Sequence, residues 1–158
     1  MGKSPITSPL SDADKASVGA VLQATLVDLI DLSLAAKQAH WNVVGKNFRS
    51  VHLQLDELVT MARTYTDEVA ERASALGISP NGKARTVAET SGVPDFPENW
   101  LKEDDVVSAV VAALAALIER LRSRVDETDK SDLVTQDLMI EITKQLEQAH
   151  WMWQAQQA

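Results

Sequence analysis

The most restrictive feature of the sequence is an apolar stripe that repeats at helical spacing between residues 51 and 76. Its members are three or four positions apart, which places them on one face of an α-helix. Such a stripe needs neighbouring helices to bury it, so it predicts a helix within a bundle. The stripe comprises Val51, Leu55, Leu58, Ala62, Tyr65, Val69, Ala73 and Leu76. Gly77 follows directly and is typical of the residue that ends a helix.

Three further segments carry the same spacing. The first begins after Ser11, a good N-cap, and runs to about residue 39; the others cover residues 103–127 and the segment after the turn at 126–131. Residues 78–102 hold three prolines and two glycines, which predicts a long crossover with one short helix near residues 86–90. No segment alternates as a strand does.

A long crossover distinguishes ferritin-like bundles from simple up-and-down ones. We therefore predict an all-α fold, a ferritin-like four-helix bundle whose crossover between the second and third long helices carries a short helix. Residues 11–158 would form this single domain, and residues 1–10 would form a flexible arm. No apolar run of membrane-spanning length and no signal peptide is evident, so we expect a cytoplasmic protein with no membrane partner.

Cysteine is absent from the sequence, and histidine occurs only at positions 40, 52 and 150. The lack of cysteine excludes disulfides, zinc–thiolate sites and thiol catalysis, so any metal ion has to be bound by His, Asp or Glu. The 158 residues include 23 acidic and 15 basic side chains, a net charge of −8. That charge disfavours non-specific binding of nucleic acid and favours a cationic partner such as a metal ion.

Four polar residues of the second helix have the spacing of metal ligands. His52 and Asp56 are four positions apart, as are Asp67 and Glu71. At 100° per residue all four fall within an arc of about 100° beside the apolar stripe. Imidazole and carboxylate groups together suit iron, manganese or zinc. A single pair of acids at this spacing more often lies on a solvent-exposed helix face. The prediction of a metal site therefore rests on all four residues together.

The length of the helix separates these two pairs. His52 and Asp67 are about 22 Å apart along a straight helix axis, so one ion cannot touch both pairs of one chain. Either the chain has two incomplete sites, or a second subunit completes them. An antiparallel twofold pairing of this helix, with its axis near Met61 and Ala62, would bring the pairs together and produce two equal sites.

His40 lies at the end of the first helix, twelve residues before His52. Gly45 between them lets the chain reverse, so both imidazoles could meet at one site, and Trp41 would shield it. A lone His near a helix end is more often a cap or a satisfied core residue. Two His and three acids with compatible geometry make a metal site as strong an interpretation as the structural one.

Two segments resemble the signature of the Dps family, the miniferritins of the ferritin-like superfamily. The run KQAHWNVVGKNFRSVHLQLDE at residues 37–57 carries the first half, and DEVAER at residues 67–72 matches the second. In the last helix TQDL at residues 135–138 and the pair Trp151–Met152 are also similar to the family. The resemblance covers residues 10–155 and implies a dodecameric cage of four-helix subunits with 23 symmetry.

The resemblance also implies an iron-sequestering ferroxidase that protects against oxidative stress. Family members oxidise Fe²⁺ with hydrogen peroxide, or with O₂, and store the ferric mineral inside the cage; zinc competes for the same ligands. The implied centre takes its ligands from two chains. They are His40, His52 and Asp56 of one chain and Asp67 and Glu71 of its partner.

Further roles follow from the resemblance alone. Asp129 and Asp137 match the acidic pore through which iron enters, and Glu57 matches acids of the inner wall that nucleate the mineral; each is equally well an ordinary surface acid. Trp41 and Trp151 match family tryptophans, and Trp41 either intercepts oxidising equivalents or serves packing. His150 has no family role and is interpreted as an incidental surface residue, with an extra metal contact as the alternative.

DNA binding is the second functional hypothesis. Family members that bind DNA often carry a mobile basic tail, whereas residues 1–15 hold only Lys3 and Lys15 against Asp12 and Asp14, and the C-terminal QAQQA has no basic residue. Twelve copies at −8 each would repel DNA. We therefore expect a nucleoid-compacting role to be weak or absent. A bundle enzyme that uses the metal on an organic substrate is a third hypothesis, for which no substrate pocket is evident.

Overall fold

The computed structural model describes residues 4–158, and four long helices account for most of them. A short helix lies in the crossover, and a 3-10 turn over Ala155–Gln157 follows the last helix. The helices are α1 (Asp12–Asn42), α2 (Phe48–Ala75), α3 (Ala84–Thr90), α4 (Glu103–Thr128) and α5 (Leu133–Gln154). The predicted all-α bundle of four long helices with a short crossover helix is confirmed.

Local sequence signals set the helix ends. Ser11 caps α1 by accepting a hydrogen bond from the Asp14 N–H at 3.1 Å. Gly77 has φ +69° and ends α2 in a Schellman motif, in which Ile78 N–H donates to the carbonyl of Ala73 at 3.0 Å. α1 extends three residues beyond the predicted end, so His40 lies inside its last turn.

The bundle consists of two helical hairpins, in which α1 packs mainly on α2 and α4 mainly on α5. All four long helices contribute aliphatic side chains to one continuous core. Among the helices of residues 4–158, α1 alone is long and apolar enough to cross a membrane by length and composition, which contradicts the expectation that no such run exists. Because 56% of its most apolar window is buried in the bundle, α1 is accounted for as a core helix.

A two-stranded parallel pair, which the sequence did not predict, joins the hairpins at one end. Strand β1 (Val43–Val44) pairs with β2 (Leu101–Lys102), and Val43 lies opposite Leu101. β1 belongs to the connection between α1 and α2, while β2 immediately precedes α4. The pair therefore ties the α1–α2 connection to the first residue of α4.

The segment before α1 lies partly against the bundle. Leu10 packs on the core, and a β-carbon on Gly77 would lie 2.6 Å from the carbonyl oxygen of Ile6, so the arm passes close to the end of α2. The flexibility predicted for residues 1–10 stays a prediction, and Lys3 lies outside the described residues.

A buried ionic cluster ties α1 to α4 and the crossover. Asp28 of α1 is fully buried, and its carboxylate accepts hydrogen bonds from Arg124 at 2.7 Å and from Arg120 at 3.1 Å. Gly92 of the crossover donates its backbone N–H to the same carboxylate at 2.9 Å. We call Asp28, Arg120 and Arg124 the Asp28 cluster. A buried charge needs paired partners of this kind, so the cluster is a structural cross-link.

Candidate metal centre

His40 and His52 lie together at the end of the first hairpin. Their rings are stacked, with centroids 3.6 Å apart and planes 22° from parallel. Each ring bonds the backbone of the other residue: His40 Nδ1 is 2.9 Å from the carbonyl oxygen of His52, and His52 Nδ1 is 3.0 Å from that of His40. A carbonyl can only accept, so both Nδ1 atoms carry the hydrogen. In the neutral form of each ring, Nε2 then keeps the lone pair that binds a metal ion.

Asp56, one turn after His52, completes a cluster of three candidate ligands. Its Oδ1 lies 3.3 Å from His40 Nδ1 and 2.5 Å from the ammonium of Lys37. The hydrogen bond from Lys37 lowers the pKa of Asp56; partial burial opposes it, and the charges of the two imidazoles reinforce it. The Asp56 side chain remains 44% exposed, so an ion can reach the carboxylate from outside.

Lys37 is a site residue that the sequence reasoning did not single out. It lies on α1, three positions before His40, and this spacing places both side chains on one helix face. Its ammonium occupies a position next to Asp56 that competes with a bound cation for the same oxygen.

The second candidate pair lies elsewhere on the same helix. Asp67 and Glu71 are exposed, and both follow His52 on α2 by about four helical turns or more. Within residues 4–158 no three His, Asp or Glu side chains, His40, His52 and Asp56 included, are arranged so as to hold a metal ion within one chain. The structure thus brings His40, His52 and Asp56 together and keeps the other two predicted ligands apart from them in one chain.

A shallow groove runs along α2 from this cluster towards the middle of the helix. It is lined by Leu53, Asp56, Glu57, Thr60 and Met61 of α2 and by Gln145 of α5. Leu53 is 46% exposed and contributes apolar surface to this groove. Ala62 is buried, so of the two residues predicted near a twofold axis only Met61 reaches this surface.

Comparison with known proteins gives a consistent result. Residues 19–158 match the Ferritin-like domain family. The DNA protection during starvation protein of Mycolicibacterium smegmatis is 39% identical over 150 residues, which cover 92% of this chain and 80% of that protein. Among solved structures, DpsA14 from Streptomyces coelicolor has a TM-score of 0.92 at 31% identity, covering 98% of this chain and 92% of that one. The Dps of Microbacterium arborescens in its high iron form has a TM-score of 0.90 at 31% identity, covering 95% and 97%.

The chain belongs to the Dps family.

Dps proteins form a ferritin-like family associated in general terms with iron sequestration and with the protection of DNA under stress. Structural neighbours of this chain in that family support a homo-oligomer. A homo-oligomer agrees with the surface of α2, where the groove with the exposed Leu53 is not covered by the rest of the same subunit.

The two acids expected at the Dps entry pore lie on either side of the turn between α4 and α5. Asp129 directly follows α4 and accepts a hydrogen bond from Gln136 at 3.3 Å, whereas Asp137 is exposed on α5. Between them Asp132, which the sequence reasoning missed, caps α5 and binds Arg72 of α2. Burial would raise the pKa of Asp132, but the hydrogen bonds from Thr135 and Arg72 outweigh it and lower the pKa.

The aromatic residues and His150 differ from their expected surroundings. Trp41 is 62% exposed, so within one chain it does not shield the histidines as predicted. Trp151 is similarly exposed near the end of α5. His150 is half-buried, and its Nε2 is buried without a hydrogen-bond partner among residues 4–158.

Proposed function

We propose that this Dps chain is the subunit of a dodecameric ferroxidase cage with 23 symmetry. It oxidises Fe²⁺, with hydrogen peroxide as the principal oxidant and O₂ as the alternative, and it stores the ferric mineral in the cytoplasm as a protection against oxidative stress. The observation that carries the proposal is the His40–His52 pair with two free Nε2 atoms beside the open carboxylate of Asp56.

The donor set fits Fe²⁺ as a substrate. Neutral imidazoles and a carboxylate are the ligand types that suit ferrous iron. Each Fe²⁺ gives up one electron, and one hydrogen peroxide takes two electrons and two protons to become water. Consuming both reactants together leaves none to form hydroxyl radical. The same nitrogen and oxygen ligands also suit Zn²⁺, which competes for the site.

A second copy of the chain supplies the missing ligands. Asp67 and Glu71 lie too far along α2 to reach the cluster of their own chain, and an antiparallel neighbour places them opposite it. The exposed Leu53 and the groove around Met61 lie on the stretch of α2 that such a neighbour would cover. In the assembled cage Asp129 and Asp137 line the entry pore and Glu57 nucleates mineral on the inner wall.

The decisive experiment replaces the two histidines. In the assembled protein, the double variant His40→Gly/His52→Gly should slow the oxidation of Fe²⁺ by peroxide at least about tenfold, because two of the proposed ligands are gone. Stopped-flow absorbance of ferric product measures the rate, and size-exclusion chromatography with light scattering checks the cage. His150→Gln is the matched control and should keep the parent rate. Unchanged kinetics in the double variant, or no soluble ferric core in the parent, would contradict the proposal.

DNA compaction is the second candidate, and the name of the Mycolicibacterium smegmatis relative is the observation that favours it. The net charge of −8 per chain opposes it. In a gel-shift series against salt concentration we expect no retained complex at physiological ionic strength. A complex that persists there would make DNA binding a function of this protein despite its charge.

A further inference from the structure

The connection between the two histidine-bearing helices is built around a side chain from the other hairpin. Gly45 lies in this connection with φ +144°, a conformation that favours glycine. A β-carbon at Gly45 would lie 1.1 Å from Oε2 of Glu103, the first residue of α4. The carboxylate of Glu103 thus fills the space that a side chain at position 45 would need.

The same carboxylate caps α2 from outside. Asn47 is the N-cap residue of α2, yet its own side chain makes no capping hydrogen bond, and the first turn of α2 contains no acidic residue. Instead Oε1 of Glu103 accepts the backbone N–H of Asn47 at 3.1 Å. The N-terminus of a helix carries unpaired N–H groups and favours negative charge. Within one capping box a Glu bonds the N-cap N–H of its own helix; here α4 supplies that Glu to α2.

The position of the Glu103 carboxylate is fixed on both sides. The pairing of β1 with β2 holds the residues just before Gly45 beside the residues just before Glu103. The backbone therefore brings the Glu103 side chain close to Gly45. Its Oε2 is buried and has no hydrogen-bond partner among residues 4–158. A buried unpaired oxygen costs stability, so folding alone does not explain why this carboxylate is held here.

We propose that Glu103 is a positioning residue for the iron site, an inference that rests on the function proposed above. Glu103 sets where α2 begins relative to the end of α1, and this distance fixes the reciprocal bonding of His40 and His52. His52 lies in the second turn of α2, so a shift of the first turn moves its ring. A displaced ring loses the Nδ1 bond that keeps its Nε2 ready for the metal ion.

Anaerobic Co²⁺ titration of the assembled protein, followed by visible absorption, tests this role without any oxidation step. Glu103→Ala should weaken Co²⁺ binding about tenfold or more, as the loss of a residue that orients metal ligands typically does. Glu103→Asp keeps the charge but is one methylene shorter, so it should also lose affinity. Glu103→Gln keeps an acceptor of the same length and should restore most of the affinity. Asp104→Ala, which removes an exposed acid from the same helix turn, is the matched control and should bind like the parent.

Iron kinetics provide the second readout. In Glu103→Ala the Fe²⁺ concentration for half-maximal rate should rise by a similar factor, with a smaller change in the maximal rate. If Glu103→Ala does not assemble, the comparison of Glu103→Asp with Glu103→Gln decides: lower affinity only in the aspartate variant supports the proposal, and parent-like affinity in both overturns it.

The outcomes separate this inference from the function it rests on. Parent-like Co²⁺ binding in Glu103→Ala, or an equal loss in Asp104→Ala, overturns the positioning role alone. A parent protein that binds no Co²⁺, or binds it equally well after both histidines are replaced, overturns the iron site itself and the inference with it.

Discussion

Two carboxylates of this bundle are held by basic side chains of a neighbouring helix, yet their surroundings differ. Asp28 has no exposed surface and accepts hydrogen bonds from two arginines and a backbone N–H, all within one chain. Asp56 is 44% exposed and is held by Lys37, with His40 close by. The first group is enclosed on every side by its own subunit, whereas the second faces outward.

This difference separates stability from ligand binding. A buried charge is tolerated only when its partners are complete, so removal of one partner leaves an uncompensated charge behind. An exposed ion pair contributes little to stability, because water and salt screen it and both side chains move. The Asp28 cluster therefore cross-links the bundle, while Asp56 keeps oxygen lone pairs that an incoming cation can use.

The largest effect should come from the buried carboxylate. Asp28→Asn leaves the guanidinium of Arg124 buried without its anion, and we expect a loss of about 3–5 kcal/mol of stability. For a chain of this size that corresponds to a fall in Tm on the order of 10 °C, measured by thermal unfolding at a fixed protein concentration. Co²⁺ binding by the protein that remains folded should equal that of the parent.

Asp31→Asn is the matched control, since Asp31 lies on the same helix and is not among the described partners of any ion pair. Its effect should stay within about 0.5 kcal/mol. An unchanged Tm in Asp28→Asn, or a fall in its Co²⁺ affinity, would remove the distinction between the two carboxylates.

The smallest effect should follow the loss of Lys37. Because Lys37 lowers the pKa of Asp56, Lys37→Met should shift the titration of that carboxyl upward, towards its ordinary value of 3.8. A lowered native pKa adds stability above pH 3.8 that is lost as the pH falls through the native pKa, so the variant should show a weaker acid dependence. Carboxyl ¹³C NMR of the metal-free protein measures the shift.

At neutral pH the Tm of Lys37→Met should match that of the parent, as expected for an exposed pair. Lys130→Met removes a lysine outside the site and should leave the Asp56 titration in place. If the Asp56 titration did not move in Lys37→Met, Lys37 would not hold this carboxylate. If the Tm of Lys37→Met fell as far as that of Asp28→Asn, the exposed pair would stabilise the bundle as much as the buried one.

The sequence predicted those parts of the fold that depend on local pattern. The spacing of the stripe from Val51 to Leu76 indicated α2, and Gly77 marked its end. Helical rise alone showed that His52 and Asp67 cannot share an ion in one chain. These inferences succeed because helix geometry is regular and depends on few residues.

Contacts between distant segments were not predictable in the same way. Lys37 was visible at the start of the family-like run, but nothing in the spacing indicated its bond to Asp56. Glu103 and Gly45 meet only because β1 pairs with β2, and a two-residue strand gives no alternating pattern to detect. The assembly that would unite Asp67 with His52 stays a prediction from the sequence and the family.

The pairing of Val43 with Leu101 also has a consequence for the timing of synthesis. Chains are made from the N-terminus, so both histidines of the centre leave the ribosome well before Leu101 and Glu103 do. An unfinished chain then holds the imidazoles without strand β2 and without the carboxylate that we propose positions them. On that proposal, the arrangement of the two imidazoles forms only in the completed subunit.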